Sequence, residues 1–149
     1  MIALLLLVAT CHLNHDSQGV ITADAACTPG ATRPVTKAEV CVKGSAGKAR
    51  AVSAGEKNQV MRAYGLDPRT GKHPTLEIDH LISLELGGSN DAANLWPEPA
   101  SPKPGFHEKD ATENALHSAV CRGDLTLEQA QHLISTDWYE AYQKYVEGK

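Results

Sequence analysis

Two adjacent residues that can do chemistry, Asp79 and His80, interrupt an otherwise apolar run of the sequence. An imidazole titrates near neutral pH and can act as a general base. A carboxylate beside it offers a hard oxygen ligand that suits Mg²⁺ or Mn²⁺. Hydrolysis of a phosphodiester needs both, because a base activates water while a cation neutralises the charge that develops on the phosphate and the leaving oxygen. The pair therefore indicates a candidate hydrolytic site.

Three other residues, which lie later in the chain, could complete such a site. Asn94 comes fourteen residues after His80, and its side-chain amide could brace the segment that carries the histidine. His107 stands at the start of the next helical pattern and is the leading candidate for a second metal ligand. Lys109, on the same helix, is a candidate contact for a substrate phosphate. The site would then draw on two strands and a helix.

Strand patterning accounts for the first part of this arrangement. Residues 76–86 have strand composition, residues 87–91 form a glycine-rich turn, and residues 94–96 make a second short extended piece. Neighbouring side chains on a regular strand point to opposite faces. Asp79 and His80 can serve one site only if the strand ends or bulges at this pair. The sequence therefore predicts an irregularity there.

The remaining elements are mainly helical. Helices are predicted over residues 55–64 and, after a proline-rich loop, over residues 107–121. A capping box opens a last helix at Thr126. Short strands are predicted around residues 40–42 and 49–52. Together these elements predict a single small α+β domain.

The N-terminus has the features of an export segment. Residues 2–9 are a short apolar run, and Ala23-Asp24-Ala25 has the small-x-small pattern that leader peptidases cut. We therefore predict a leader over residues 1–25, a mature domain over residues 26–149, and a secreted or periplasmic protein. A lipid anchor at Cys11 is a less favoured form of export, and a buried N-terminal strand or helix is the alternative to export.

Cysteine usage agrees with export. If Cys11 lies in the leader, Cys27, Cys41 and Cys121 remain. An oxidising compartment favours pairing two of these three. We favour Cys41–Cys121, which would tie the N-terminal half to the helix after the Asp-His pair, and Cys27–Cys41 is the rival. Three unpaired thiols in a cytosolic protein would be the alternative to both.

The formal net charge of −4 is unevenly distributed along the chain. Residues 33–73 carry nine basic and three acidic side chains, a local charge of +6, and residues 76–149 carry five basic and thirteen acidic ones, a local charge of −8. Such asymmetry is typical of a half that binds a polyanion, and equally of a solvated charged face. The chain has no run of about 20 apolar residues, so no membrane span is predicted in the mature form.

Taken in order, four pieces of the sequence resemble the HNH, or ββα-metal, nuclease motif. They are Asp79-His80-Leu-Ile, Leu86-Gly-Gly-Ser-Asn, Ala93-Asn94-Leu95 and the helix that His107 opens. The core of the resemblance covers about residues 76–121. A closer one, to small exported bacterial proteins that carry this motif, runs from roughly residue 41 to residue 138. Many HNH nucleases place a cysteine pair for a structural zinc before the helix, where this chain has a proline-rich segment instead.

The resemblance implies a fold and a role for each residue. It implies a ββα-metal core, a hairpin plus a helix, with flanking helices. Asp79 and His107 would bind the metal, His80 would activate water, and Asn94 would orient that base.

The implied function is an exported endonuclease that depends on Mg²⁺ or Mn²⁺ and cuts nucleic acid with little sequence specificity. DNA is the expected substrate. Phosphate contacts would come from the basic half of the chain, and such contacts position a substrate without reading bases. The alternative is a non-catalytic HNH-fold binding or structural module, which the net negative charge favours because nucleic-acid binders are usually basic. A third hypothesis is an exported metal-binding protein that binds Zn²⁺ tightly without cleaving nucleic acid.

Overall fold

Two short antiparallel hairpins and six helices make up the structure, a computed structural model that describes residues 10–69 and 75–149. In chain order the elements are β1 (Asn14–His15), β2 (Ile21–Thr22), α1 (Lys37–Val40), α2 (Ser45–Ala49), α3 (Ala54–Ala63), β3 (Leu76–His80), β4 (Leu95–Pro99), α4 (Phe106–Arg122), α5 (Leu127–Thr136) and α6 (Trp138–Tyr145). The predicted small α+β domain is confirmed. The apolar run at residues 2–9 lies outside the described residues.

The hairpin of β3 and β4 carries the Asp-His pair. The two strands are antiparallel along their whole length, with Asp79 opposite Trp96 and His80 opposite Leu95. Because β3 ends at His80, the strand predicted over residues 76–86 is too long. The irregularity predicted at the pair is confirmed, since the regular strand stops there.

Two 3₁₀ turns, Leu84–Leu86 and Ala92–Asn94, connect the strands of this hairpin. Between them Gly87 adopts a left-handed conformation with φ of 81°. At Gly88 a Cβ atom would lie 1.7 Å from the carbonyl oxygen of Ile82, so a side chain does not fit. The Gly-Gly pair therefore lets the chain turn tightly against the segment that follows His80.

The helices predicted around the hairpin are observed close to their expected bounds. α3 begins with a capping box at Ser53, and α4 ends at Arg122 with Gly123 as its C-cap, which has φ of 91°. The last predicted helix is divided into α5 and α6 by Asp137, whose side chain accepts a hydrogen bond from the Glu140 backbone and so caps a new helix. None of the helices in the described ranges is both long and apolar enough to cross a membrane.

The strands predicted around residues 40–42 and 49–52 are wrong, because α1 ends in a turn at the first segment and α2 ends in an irregular stretch at the second. The local cause at the first segment is a reciprocal capping box, in which Thr36 and Glu39 satisfy each other's backbone donors. Such a box starts a helix at the residue after Thr36, and α1 then buries Val40.

Two apolar clusters hold these elements together. One lies beneath α4, α5 and α6, and the other joins α3 to β4 and to the N-terminal segment. The members of the first include Ile82, Leu86, Leu116, Val120, Ile134 and Trp138, and those of the second include Cys11, Val60, Tyr64, Leu81, Leu95 and Trp96. The segment between β3 and the Gly-Gly turn contributes to both, so its backbone is fixed on two sides.

Two disulfides complete the fold. The predicted Cys41–Cys121 bond is present, with a Cα–Cα distance of 5.8 Å, and it ties the end of α1 to α4. The second bond, Cys11–Cys27, was not predicted, because Cys11 was assigned to the leader. A lipid thioether at Cys11 is incompatible with this disulfide. The leader boundary at residue 25 stays a prediction, although residues 11–25 pack on the domain in this structure.

Candidate metal and base site

His80 is held in one orientation at the end of β3. Its side chain is buried, and its Nε2 lies 3.0 Å from Oδ1 of Asn90. The Asn90 amide is itself oriented, because its Nδ2 donates to the carbonyl oxygen of Ala49 at 2.8 Å. An amide oxygen only accepts, so His80 Nε2 is the donor, and Nδ1 is the nitrogen left to act as a proton acceptor. That nitrogen lies 3.9 Å from Oδ1 of Asp79.

The Asn94 amide braces the segment that carries the base, as expected from its place in the sequence, but among the described residues it makes no hydrogen bond to the imidazole that the resemblance implied it would orient. Its fully buried amide accepts from the backbone N–H of Ile82 and donates to the carbonyl oxygens of Ile82 and Ser89. These bonds replace the ladder hydrogen bonds that end with β3. The direct contact with His80 belongs to Asn90, which the sequence analysis assigned only to the turn.

Three carboxylates converge near the base. Glu77, Asp79 and Asp110 each offer an oxygen, and these oxygens lie within 4.8 Å of one another. Burial and the neighbouring charge of Asp79 raise the pKa of both Glu77 and Asp110 above their usual values. The part of this rise that comes from the charge of Asp79 reflects crowded negative charge, which a bound cation would relieve. Asp79 was predicted in this role, whereas Glu77 and Asp110 were not.

The structure does not bring His107 into this carboxylate group. The His107 side chain is exposed on the first turn of α4, with its ring centroid 4.4 Å from that of Phe106. Asp110, three residues further along, lies on the same helical face one turn later. The helix residue that lies close to Asp79 is therefore Asp110, one turn after His107, which the resemblance to the HNH motif implied as the metal ligand.

Lys109 is completely buried, which does not fit the predicted contact with a substrate phosphate. Its Nζ donates to the carbonyl oxygen of His80 at 2.9 Å and to Oε1 of Glu113. Oδ2 of Asp79 and Oε2 of Glu98 each lie 3.7 Å from the same nitrogen. The ammonium group therefore supports the end of β3 from inside and neutralises part of the surrounding charge.

The carboxylates around Lys109 differ in their ionisation. Burial raises the pKa of Glu113 to about 7 and that of Glu98 well above its usual value. Both Glu98 oxygens lack a hydrogen-bond partner within the described part of the chain, and 3.7 Å is too long for a hydrogen bond to Lys109. This environment therefore favours the protonated form of Glu98.

Asp79 and Lys109 both keep their charges within this buried network. Although burial opposes ionisation, the neighbouring polar groups of His80 and the charge of Lys109 hold the pKa of Asp79 below its usual value. Burial likewise opposes the charge of Lys109, but the carboxylates of Glu113, Glu98 and Asp79 keep its pKa above the usual value. A carboxylate that stays ionised at the edge of a buried network can still ligate a cation.

Comparison of the chain with protein-family models, with curated proteins and with solved structures gave no match. The likeness to the HNH motif therefore rests on the residues quoted from the sequence. The function of Asp79 and His80 therefore has to be inferred from their arrangement in this structure.

A second group with metal-ligand geometry consists of Cys41, His117 and Cys121. Its two sulfurs form the disulfide between α1 and α4, so they are not available as thiolates. Within the described residues, the carboxylate group at β3 is thus the one geometric candidate with free ligand atoms. Beside His80 it can combine a proton acceptor with a hard-oxygen cation site.

Proposed function

We propose that this protein is an exported, divalent-metal-dependent endonuclease that hydrolyses phosphodiester bonds in nucleic acid, with DNA as the expected substrate. One observation carries the proposal. At the end of β3, the acceptor nitrogen of an oriented histidine lies 3.9 Å from a carboxylate that belongs to a three-carboxylate group. General-base hydrolysis of a phosphodiester needs these two functions side by side.

The donor set suits Mg²⁺ or Mn²⁺. Glu77, Asp79 and Asp110 supply only hard oxygen atoms, and their surplus negative charge favours a cation. Such an ion would neutralise charge on the phosphate during hydrolysis. His80 would accept a proton from the attacking water at Nδ1, while the hydrogen bond from its Nε2 to Asn90 keeps the ring in place.

Plasmid nicking by the purified protein tests the proposal. Supercoiled DNA is incubated with Mg²⁺ or Mn²⁺, with and without EDTA, and the nicked and linear forms are measured. We expect cleavage that EDTA abolishes and that His80→Ala lowers by about 10²–10⁴-fold, the usual contribution of a positioned base. Because His80 is buried, thermal unfolding of His80→Ala and of the polar variant His80→Gln is measured alongside.

His132 offers a matched control, because it is exposed and lies on α5, outside this site. His132→Ala should cleave like the wild-type protein. A wild-type protein that leaves plasmid intact with both metals would refute the proposal. A His80→Gln protein that is folded and fully active would refute the role of the base.

One observation favours the alternative of a non-catalytic HNH-fold module. Lys109 already gives Asp79 an internal counter-charge at 3.7 Å, so part of the negative charge is balanced without a metal. The net charge of −4 also works against binding a polyanion. Under this alternative, the wild-type protein would leave plasmid uncut with either metal, and its thermal unfolding would not respond to Mg²⁺, Mn²⁺ or EDTA.

A further inference from the structure

A cleft of about 270 Å³ opens beside the carboxylate group. Its lining includes Arg50, which follows α2, Ser83 from the loop after β3, and Asp110 and Glu113 from α4. Asp110 belongs to both the cleft and the carboxylate group, so a molecule in the cleft would lie next to the proposed metal site. Among the described residues that line the cleft, Arg50 carries the only positive charge.

Two polar groups of the cleft have no partner in the structure. The Arg50 side chain is exposed, and its guanidinium makes no hydrogen bond or ion pair with any residue in ranges 10–69 and 75–149, although acidic residues line the same cleft. Ser83 is 5% exposed, and its Oγ is buried without a hydrogen-bond partner among those residues. A buried hydroxyl without a partner is uncommon and requires an explanation. A ligand oxygen in the cleft would supply one.

The backbone on both sides of Arg50 is tied to the base through one side chain. Asn90 Nδ2 donates to the carbonyl oxygen of Ala49 at 2.8 Å, and Asn90 Oδ1 lies 3.4 Å from the backbone nitrogen of Ala51, which donates to it. The same Oδ1 accepts the hydrogen bond from His80 Nε2. Asn90 therefore fixes the peptide that carries Arg50 relative to the imidazole that would activate water.

We propose that Arg50 binds the phosphodiester that is cleaved, in the cleft beside Asp110, with the Ser83 hydroxyl as a second donor. This inference rests on the proposed nuclease function and names the residue that holds its substrate. A guanidinium presents two parallel N–H groups that match two phosphate oxygens, which a lysine does not. Its charge also opposes the repulsion that the acidic lining would exert on a phosphate. Asn90 is then a positioning residue for both Arg50 and His80.

Steady-state plasmid cleavage in Mn²⁺ separates this role from general attraction of DNA. We expect Arg50→Ala to lower kcat by about 10²–10³-fold, the usual cost of losing a donor to a developing oxyanion. Arg50→Lys should recover part of that loss, because it restores the charge without the fork. Thermal unfolding of both variants should match that of the wild-type protein, since the Arg50 side chain is exposed and makes no hydrogen bond or ion pair with the described residues.

Arg62→Ala is the matched control, because Arg62 is also exposed but lies on α3, outside the cleft. Its kcat should be unchanged, and any rise in its KM should disappear at low salt. If the wild-type protein cuts DNA and Arg50→Ala behaves like Arg62→Ala, the inference about Arg50 is overturned and the nuclease function stands. If the wild-type protein does not cut DNA, the proposed function fails and this inference fails with it.

Discussion

Replacing Lys109 with methionine tests whether its buried ammonium group supports the fold rather than the substrate. The group is 0% exposed and donates to the carbonyl oxygen of His80 and to Glu113. Removing one partner of a buried ion pair costs about 3–5 kcal/mol, because the other charge is left uncompensated. The pKa of Glu98 is raised well above its usual value and that of Glu113 is about 7, so part of the remaining charge can be removed by proton uptake. We therefore expect the lower end, a loss of about 3 kcal/mol in the free energy of unfolding at pH 8.

Urea unfolding in EDTA, followed by circular dichroism at pH 8 and at pH 5.5, measures this cost. The loss should be smaller at pH 5.5, where Glu113 is protonated in the folded variant and less charge is left unpaired. Lys103→Met is the control, because the Lys103 side chain is 78% exposed and lies 3.8 Å from Glu108. Its free energy of unfolding should change by less than about 0.5 kcal/mol. If Lys109→Met costs no more than this control, the buried-charge argument is wrong.

Three further predictions concern the stability of the same region. The raised Glu113 pKa means that the folded state binds this proton more tightly than the unfolded state, so in EDTA its contribution to stability is present below about pH 4.5 and is lost as the pH rises through about 7. Urea unfolding across this range should show the decline in the wild-type protein and a weaker one in Glu113→Gln. Removing the Cys41–Cys121 disulfide, with a sequence separation of 80, should cost about 4.5 kcal/mol on the loop-entropy estimate, against about 3 kcal/mol for the disulfide with a separation of 16. Equal shifts in thermal unfolding would contradict that estimate. Asn94→Ala should lower the free energy of unfolding by about 3 kcal/mol, because it leaves buried backbone groups unpaired. Asn90→Ala should lower the free energy of unfolding by only about 1 kcal/mol but should also lower plasmid cleavage. If Asn90→Ala is instead the more destabilising of the two variants and Asn94→Ala the one that lowers cleavage more, the roles assigned to the two amides are wrong.

Features that depend on local chemistry were predictable from the sequence. The Gly-Gly turn and the end of α4 before Gly123 follow from turn residues and caps, and the irregularity at the Asp-His pair follows from the period of the strand once both residues are assigned to one site. The strands predicted around residues 40–42 and 49–52 failed because apolar residues in short segments do not distinguish a strand from a single helical turn. At the first of these segments the Thr36–Glu39 capping box was the signal that favoured a helix.

The partners within the site were harder to predict, because they depend on where side chains point. Asn90 and Asn94 both follow His80 in the same turn, and sequence spacing does not determine which amide reaches the imidazole. The two 3₁₀ turns, Leu84–Leu86 and Ala92–Asn94, determine which of the two amides reaches the imidazole, and their positions depend on the packing of the loop between β3 and β4. Lys109 was predicted to be exposed, because lysine is rarely buried unless it is paired. Its burial depends on carboxylates that come from β3, β4 and α4 and meet only in the folded chain.

Asp79 connects the stability of this fold to its proposed chemistry. One of its oxygens lies 3.7 Å from the buried Lys109 ammonium, and the other lies 3.9 Å from the acceptor nitrogen of His80. The same carboxylate belongs to the group with Glu77 and Asp110. Lys109 keeps Asp79 ionised but cannot balance all of these acids, and the charge left over is what would bind a cation. A divalent ion should therefore raise the thermal unfolding temperature of the wild-type protein and have little effect on Asp79→Asn, because binding only to the folded state stabilises it.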